Sequence, residues 1–593
     1  MHIISRDTKM SRQSLSVVQS LSIALTGSGG SGVMTTGSML LEAAGQAGWY
    51  GIMTRSAGPQ IRGGEAAALI RLCNQPVESH DDCFDLVLAI DPGSMGRFVA
   101  EIPLSSDSVI ISDAEGGRGK STLPNTAAGQ IIDLPMKVLA KSIKGGRANM
   151  IALGAAARLI GLPESSLHSI LEKVLKSKGL DALEASRASV EAGFTAAAEL
   201  PEFTSPTLKA ESGQERWSIT GNEAAGLGAI RGGVRFVAGY PITPATEVLE
   251  WMAATLPSVG GVLVQAEDEL ASINQIIGAS FGGVPALTAT SGPGFALMTE
   301  SIGLAVCSEV PLVVLDVMRC GPSTGIATKN EQSDLNIAIN GLHGDAPHLV
   351  LAPTSLSDCV FTTQWAVHLA ESLQTPAIVL SDQSLGQTRA IVNQPADLAF
   401  MARRSVPREI GETYFRYAIG DSGISPMTIP GQAGGQYTAD GLEHNEAGAP
   451  SSLPEDHMAQ LEKRQRKITG FNYGEHWADC EGTGETMVIT WGSTCGPVRE
   501  ALSRLRKQGR NIRMLAIRLL APERPDEMAA ALEGVKRILV IEQSHSRQFH
   551  RYLRAAYDLP GEVRAFYRPG PLPFRPNEII EQLKEFGTGV LES

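Results

Sequence analysis

Thr290-Ser291-Gly292-Pro293-Gly294, released from the apolar run Val284 to Ala289, is the stretch from which the fold can be read. Three strings of the same kind surround it. Tyr240-Pro241-Ile242-Thr243-Pro244 follows the strand-like Val234 to Ala238, and Gln265-Ala266-Glu267-Asp268-Glu269 follows Val262 to Val264. Met318-Arg319-Cys320-Gly321-Pro322-Ser323-Thr324-Gly325 follows Pro311 to Val317. Short apolar strands that alternate with helical patterns indicate a parallel α/β sheet, and ligands of such sheets sit beyond the carboxyl ends of the strands. The four loops are therefore expected to build one site.

Each loop carries residue types suited to a small ligand. Pro241 and Pro244 remove two backbone donors and fix φ, so the turn is stiff and presents Thr243 in one orientation. Thr243 could equally sit near the N-cap of a helix from Ala245 to Leu256. Glu267, Asp268 and Glu269 open a helix whose apolar face is Leu270, Ile273, Ile276 and Ile277. Acids in a first turn complement the helix dipole, whereas a carboxylate at the end of a buried strand is placed where its pKa can be raised. Arg319, at another strand end, offers a planar fork for a carboxylate, or the cation of a structural ion pair.

The chain has 593 residues, too many for one core, which suggests roughly three to four domains. With 43% hydrophobic and 19% charged residues it has the composition of a soluble globular protein. Its net charge of −13 argues against nucleic acid or an anionic membrane as the main partner. No apolar run approaches the ~18 residues of a membrane span, and Met1 to Ser20 lacks a signal-peptide core, so a cytoplasmic location is expected. Cys73, Cys83, Cys307, Cys320, Cys359, Cys480 and Cys495 form no C-x-x-C pair. Neither a disulfide framework nor a four-cysteine iron–sulfur site is therefore written in this chain.

Read in order, the sequence divides into a tail over 1–20, an α/β unit over 21–200, a Pro- and Ser-rich linker over 201–217 and a second α/β unit over 218–402, in which Ala377 to Leu380 closes the sheet. A connector arm over 403–484 loses apolar periodicity and carries a helix from His457 to Arg466; a last α/β unit fills 485–593. In the first unit Gly27, Gly29 and Gly32 satisfy G-x-G-x-x-G after the strand Leu21 to Leu25, a pattern that lets backbone amides approach a phosphate. An NAD site would want an acid after the next strand; Thr54-Arg55-Ser56 stands there instead, leaving a structural tight turn as the alternative.

These strings in this order resemble the 2-oxoacid:ferredoxin oxidoreductases, specifically a fused γα subunit, and most closely the 2-oxoglutarate enzymes. Gly27 to Gly32 with Gly58 to Gly64 resembles the γ domain. Gly239 to Pro244, Glu267 to Glu269, Ser291 to Gly294 and Gly321 to Gly325 resemble the pyrimidine-type thiamine diphosphate domain. Gly435-Gln436-Tyr437 and Gly441-Leu442-Glu443-His444 fit the connector, and Trp491-Gly492-Ser493-Thr494 with Glu542-Gln543 resembles the transketolase C-terminal-like domain.

The resemblance implies oxidative decarboxylation of 2-oxoglutarate with coenzyme A to succinyl-CoA and CO2, with electrons passed to ferredoxin; pyruvate or branched-chain 2-oxoacids are the alternative substrates. It implies that Glu269 hydrogen-bonds the aminopyrimidine ring as the catalytic acid, while Glu267 and Asp268 serve the helix dipole. Tyr240, Pro241, Ile242, Ser291 and Gly292 would line the cofactor, and Thr243 and Arg319 would hold the substrate carboxylate. Arg62, Gly63, Ser323, Thr324 and Lys329 are candidates for coenzyme A or the distal end of the substrate. The chain has no Gly-Asp-Gly for Mg2+ and diphosphate and no cysteine set for a [4Fe-4S] cluster. The family assigns both to a separate β subunit, which implies a shared cofactor and an (αβ)2 assembly. Two readings of other classes are a non-redox thiamine enzyme, which would want Gly-Asp-Gly here, and a nucleotide-binding regulatory subunit built on the glycine loop.

Overall fold

Leu312–Met318 is buried at every one of its seven positions, as a central strand covered by helices on both faces must be. The computed structural model describes residues 20–58, 64–113, 129–201, 203 and 216–588. Arg62 and Gly63 lie outside them. Three sheets are present among the described residues; the second and third are mainly parallel, and the first joins three parallel pairings to four antiparallel ones.

Leu312–Met318 belongs to the second sheet, whose order is Leu519–Ala521, Leu349–Leu351, Pro376–Asp382, Leu312–Met318, Ala286–Thr290, Phe236–Gly239 and Val262–Gln265. All its pairs are parallel except the one made by Leu519–Ala521. The expectation that Ala377 to Leu380 closes this sheet is corrected. Pro376–Asp382 lies inside it, because Leu349–Leu351 pairs along its far side and a strand from the C-terminal unit pairs beyond that.

The first sheet runs Gln130–Asp133, Val109–Ser112, Leu86–Ala89, Ser20–Ser28, Glu65–Cys73, Tyr50–Ala57, Arg389–Asn393 and Arg216–Thr220. Its last two strands flank six of the second sheet's seven strands in sequence, yet Arg389–Asn393 pairs antiparallel with both Tyr50–Ala57 and Arg216–Thr220. The glycine loop turns Ser20–Ser28 into the helix Val33–Gln46, with Gly30 at φ 86° and Gly32 at φ 80°. A Cβ on Gly32 would come within 2.4 Å of the Asn149 amide, so close packing already demands glycine there.

The third sheet is Ala478–Glu481, Arg513–Ile517, Thr486–Thr490, Arg537–Glu542 and Glu562–Tyr567. Between the second and third sheets the connector folds against the second unit through its helix Pro454–Thr469. Lys463 and Lys467 reach Glu309 at 2.5 and 2.8 Å, and Arg416 donates to the Glu309 carbonyl at 2.8 Å, all of them buried. Arg404 holds Glu371 with two bonds of 2.9 Å. These charge-assisted bonds replace the apolar periodicity that the connector lacks.

Candidate functional site

Four loops meet at the carboxyl ends of Phe236–Gly239, Val262–Gln265, Ala286–Thr290 and Leu312–Met318, adjacent strands of one parallel sheet. In the first loop Tyr240 and Pro241 are exposed, Ile242 and Thr243 half-buried, and Pro244 buried. The Asn222 amide donates to the Pro244 carbonyl at 3.1 Å, and the Arg319 guanidinium donates to the Thr243 carbonyl at 2.5 Å. Thr243 is not a helix cap: the helix starts at Thr246, and Ala245 occupies the cap position.

The three neighbouring acids separate by environment. Asp268 caps the helix Glu269–Phe281 by accepting from the Ala271 amide at 2.7 Å, and Glu267 is exposed. Glu269 is buried, 7% exposed, and its carboxylate makes no hydrogen bond or ion pair among the described residues. Its oxygens stay open at the crevice, where a ligand can reach them.

Glu269 faces the start of the helix Gly292–Cys307. A Cβ on Gly294 would meet Glu269 Oε1 at 2.5 Å and Thr290 Oγ1 at 2.3 Å. Ser291 precedes that helix, fully buried, with its hydroxyl unpartnered among the described residues. A carboxylate free of protein partners, an unsatisfied hydroxyl and two bare glycines fit the flat, hydrogen-bonding aminopyrimidine of thiamine.

Two residues that the sequence reading passed over stand beneath this start. Asp316 pairs in register with Thr290 and is fully buried, and Asp334 reaches to within 2.6 Å of where a Gly292 Cβ would be. Burial and the charge of Asp334 push Asp316 well above the usual carboxyl range; burial raises Asp334 to about 6, although Arg319 pulls it down. A signal for Asp316 was available: it is the one charged residue in the apolar run Pro311 to Val317.

The remaining candidates divide. Ser323 and Thr324 are exposed, on a loop closed by a bridge between Cys320 and Ile326. Lys329 points toward the first unit, bonding Glu101 at 2.5 Å and the Ser56 hydroxyl at 2.8 Å. It lines a cleft between all three units, with Thr54, His80, Gln383, Gln543 and Arg575. Burial, followed by the charges of Arg575 and Arg71, lowers the His80 pKa to about 3, so the imidazole is neutral; it hydrogen-bonds Thr54 at 2.8 Å.

Residues 227–463 match the family described as pyruvate flavodoxin/ferredoxin oxidoreductase, thiamine diP-bdg. Residues 22–196 match pyruvate ferredoxin/flavodoxin oxidoreductase, and 484–558 match pyruvate:ferredoxin oxidoreductase core domain II. The 2-oxoglutarate synthase subunit KorA of Methanothermobacter marburgensis is 36% identical over 62% of this chain and 98% of its own length. The 2-oxoglutarate oxidoreductase subunit KorA of Mycobacterium tuberculosis is 31% identical over 83% of this chain and 80% of its own. In structure, the chain superposes with a TM-score of 0.89 and 35% identity on the 2-oxoglutarate:ferredoxin oxidoreductase of Magnetococcus marinus, solved with 2-oxoglutarate, coenzyme A and succinyl-CoA bound. That match covers 96% of this chain and 99% of the other. With its unsatisfied carboxylate at the strand ends and these likenesses along nearly its whole length, the chain belongs to the 2-oxoacid:ferredoxin oxidoreductase family.

Proposed function

We propose that this chain is the α-type, γα-fused subunit of a 2-oxoglutarate:ferredoxin oxidoreductase, which converts 2-oxoglutarate and coenzyme A to succinyl-CoA and CO2 while reducing ferredoxin. The observation that carries the reading is Glu269, free of protein partners among the described residues and set against Gly294, with Thr243 at the end of the next strand and Arg319 at the end of the third strand along. When bound, thiamine diphosphate supplies the electron sink for decarboxylation. Glu269 would hydrogen-bond the aminopyrimidine ring nitrogen as the acid that hands it a proton, while Ser291, Gly292 and the Tyr240-Pro241-Ile242 turn line the ring. Arg319 would fork onto the substrate carboxylate. Its bond to the Thr243 carbonyl fixes the guanidinium and so brings the Thr243 hydroxyl to the same end of the substrate.

Mg2+, the diphosphate contacts and a [4Fe-4S] cluster fall to a β subunit, with which the chain would pair as an (αβ)2 assembly. Ferredoxin would receive the electrons there, in the cytoplasm; no helix among the described residues is long and apolar enough to cross a membrane. Coenzyme A suits the cleft between the three units, where Lys329 and Arg575 bring positive charge and Ser323 and Thr324 follow the substrate-binding Arg319 along the chain. Arg62 and Gly63 belong to the same suggestion from sequence alone. Turnover of the purified complex with 2-oxoglutarate, pyruvate and branched-chain oxoacids, each with coenzyme A and a viologen dye, tests the reading. Turnover on pyruvate equal to or above that on 2-oxoglutarate overturns the substrate assignment, and a complex without thiamine overturns the whole.

A further inference from the structure

The two aspartates beneath the helix start are not absorbed by the proposed chemistry. As carboxylates, Asp316 and Asp334 would both be acceptors, and three of their buried oxygens, Oδ1 and Oδ2 of Asp316 and Oδ2 of Asp334, would find no donor among the described residues. The backbone brings the two groups together: Asp316 pairs in register with Thr290, Asp334 reaches the Gly292 position two residues on, and each carboxyl responds to the other. Two ionised carboxylates held together with three of their oxygens out of water repel, so one proton shared between them both removes the repulsion and supplies the missing donor. Among the charged and titratable groups of the described residues Asp316 faces only Asp334; Asp334 faces in addition Glu331 and Arg319, and the positive end of the helix beginning at Gly292. His545 faces Glu331 from the C-terminal unit. Arg319 in turn has a buried Nε with no acceptor and makes no ion pair of bonding length among the described residues; Asp334 is the carboxylate that its charge feels.

We propose that Asp316 and Asp334 form a one-proton, one-charge pair that acts as the positioning counter-ion of Arg319, holding the guanidinium at the strand end while leaving it free to take the substrate carboxylate. This rests on Arg319 as the carboxylate-binding residue. A fully neutral pair would leave the buried guanidinium without a counter-charge, and a doubly ionised pair would compete with the substrate for it. The pair therefore acts on KM for the 2-oxoacid rather than on the chemical step.

The test uses the assembled enzyme with its partner subunit, at saturating coenzyme A. In the wild type, KM for the 2-oxoacid should rise on the alkaline side, by about tenfold for one added charge at this range, with kcat changed much less. Asp316→Asn keeps a donor toward Asp334 and has no proton to lose; it should leave neutral-pH KM within about twofold and flatten the alkaline rise. A difference infrared spectrum at neutral pH, wild type minus Asp316→Asn, should show the carbonyl stretch of one protonated carboxyl. A wild type with no alkaline rise, or a variant that keeps it, overturns the proposal, as does a missing infrared band. Arg319→Lys with unchanged KM also overturns it, and the band then separates the two failures. If it is present, Arg319 was misassigned; if absent, the pair itself was misread.

Discussion

Glu309→Gln should loosen the connector from the thiamine-type unit, and the size of the effect follows from the contacts of one carboxylate. Glu309 is fully buried at φ 52°, and it accepts from Lys463 at 2.5 Å and Lys467 at 2.8 Å while its carbonyl takes Arg416. Burial alone would raise its pKa, but Lys467, Lys463 and Arg416 together hold it far below the usual carboxylate range. Burial lowers Lys467 to about 8, with Glu309 pulling it back up. Glutamine preserves shape and removes the charge, which leaves the buried cations without an anion. Breaking a buried pair in this way costs about 3–5 kcal/mol. Lys467 can shed its proton near neutral pH, so the lower end, about 3 kcal/mol, is expected. At about 2–4 °C per kcal/mol for a unit of this size, the thermal midpoint at pH 7 should fall by roughly 6–12 °C.

The sign with pH follows from the shifts. A depressed carboxyl contributes stability above its unfolded pKa and loses it only as pH falls through the folded value, so Glu309 itself acts fully between pH 6 and 9. In the variant, a neutral Lys467 relieves the penalty, and the gap to the wild type should narrow between pH 7 and pH 9. Differential scanning calorimetry at both values measures it. A midpoint at pH 7 within about 1 °C of the wild type refutes the reasoning.

Four further outcomes follow from the site. Glu269→Gln should lower oxoacid-dependent dye reduction by about 100-fold or more while the complex still assembles on a sizing column. Gly294→Ala drives a methyl into Glu269 and Thr290 and should cost comparable activity, with far-ultraviolet circular dichroism unchanged. Arg319→Lys keeps the charge and loses the fork, so KM for the oxoacid should rise on the order of tenfold and kcat less, as steady-state kinetics would show. A raised carboxyl contributes stability below its unfolded pKa and loses it as pH rises through the folded value. Asp334, at about 6, should thus make Asp334→Asn more heat-stable relative to the wild type at pH 8 than at pH 4, which melting curves at the two values would reveal.

Much of this site was legible because strand and loop differ so sharply in composition around it. Glu269 could be picked out only by resemblance; its distinction from Asp268 depends on which acid caps the helix and which turns inward, a matter of one residue's rotation about the helix start. Asp316 was visible as a charge in an apolar strand, but its meeting with Asp334 is made by the return of a loop and has no local signal. Sheet order was hidden for a related reason. Leu349–Leu351 and Leu519–Ala521 have three residues each, too few to show a period, and their pairing joins segments far apart in sequence. Lys329 reads in the sequence as a candidate for coenzyme A or the distal end of the substrate, and its partners Glu101 and Ser56, more than two hundred residues earlier, leave no local signal.

Backbone ladders that cross from unit to unit carry a mechanical consequence. Arg389–Asn393 laces the second unit into the first sheet, and Leu519–Ala521 laces the third into the second. Swinging any one unit as a rigid door would tear a row of main-chain bonds. Room for a bulky substrate must then come from side chains and surface loops such as Gly321 to Gly325, and catalysis proceeds inside a frame whose three parts keep a fixed bearing on one another.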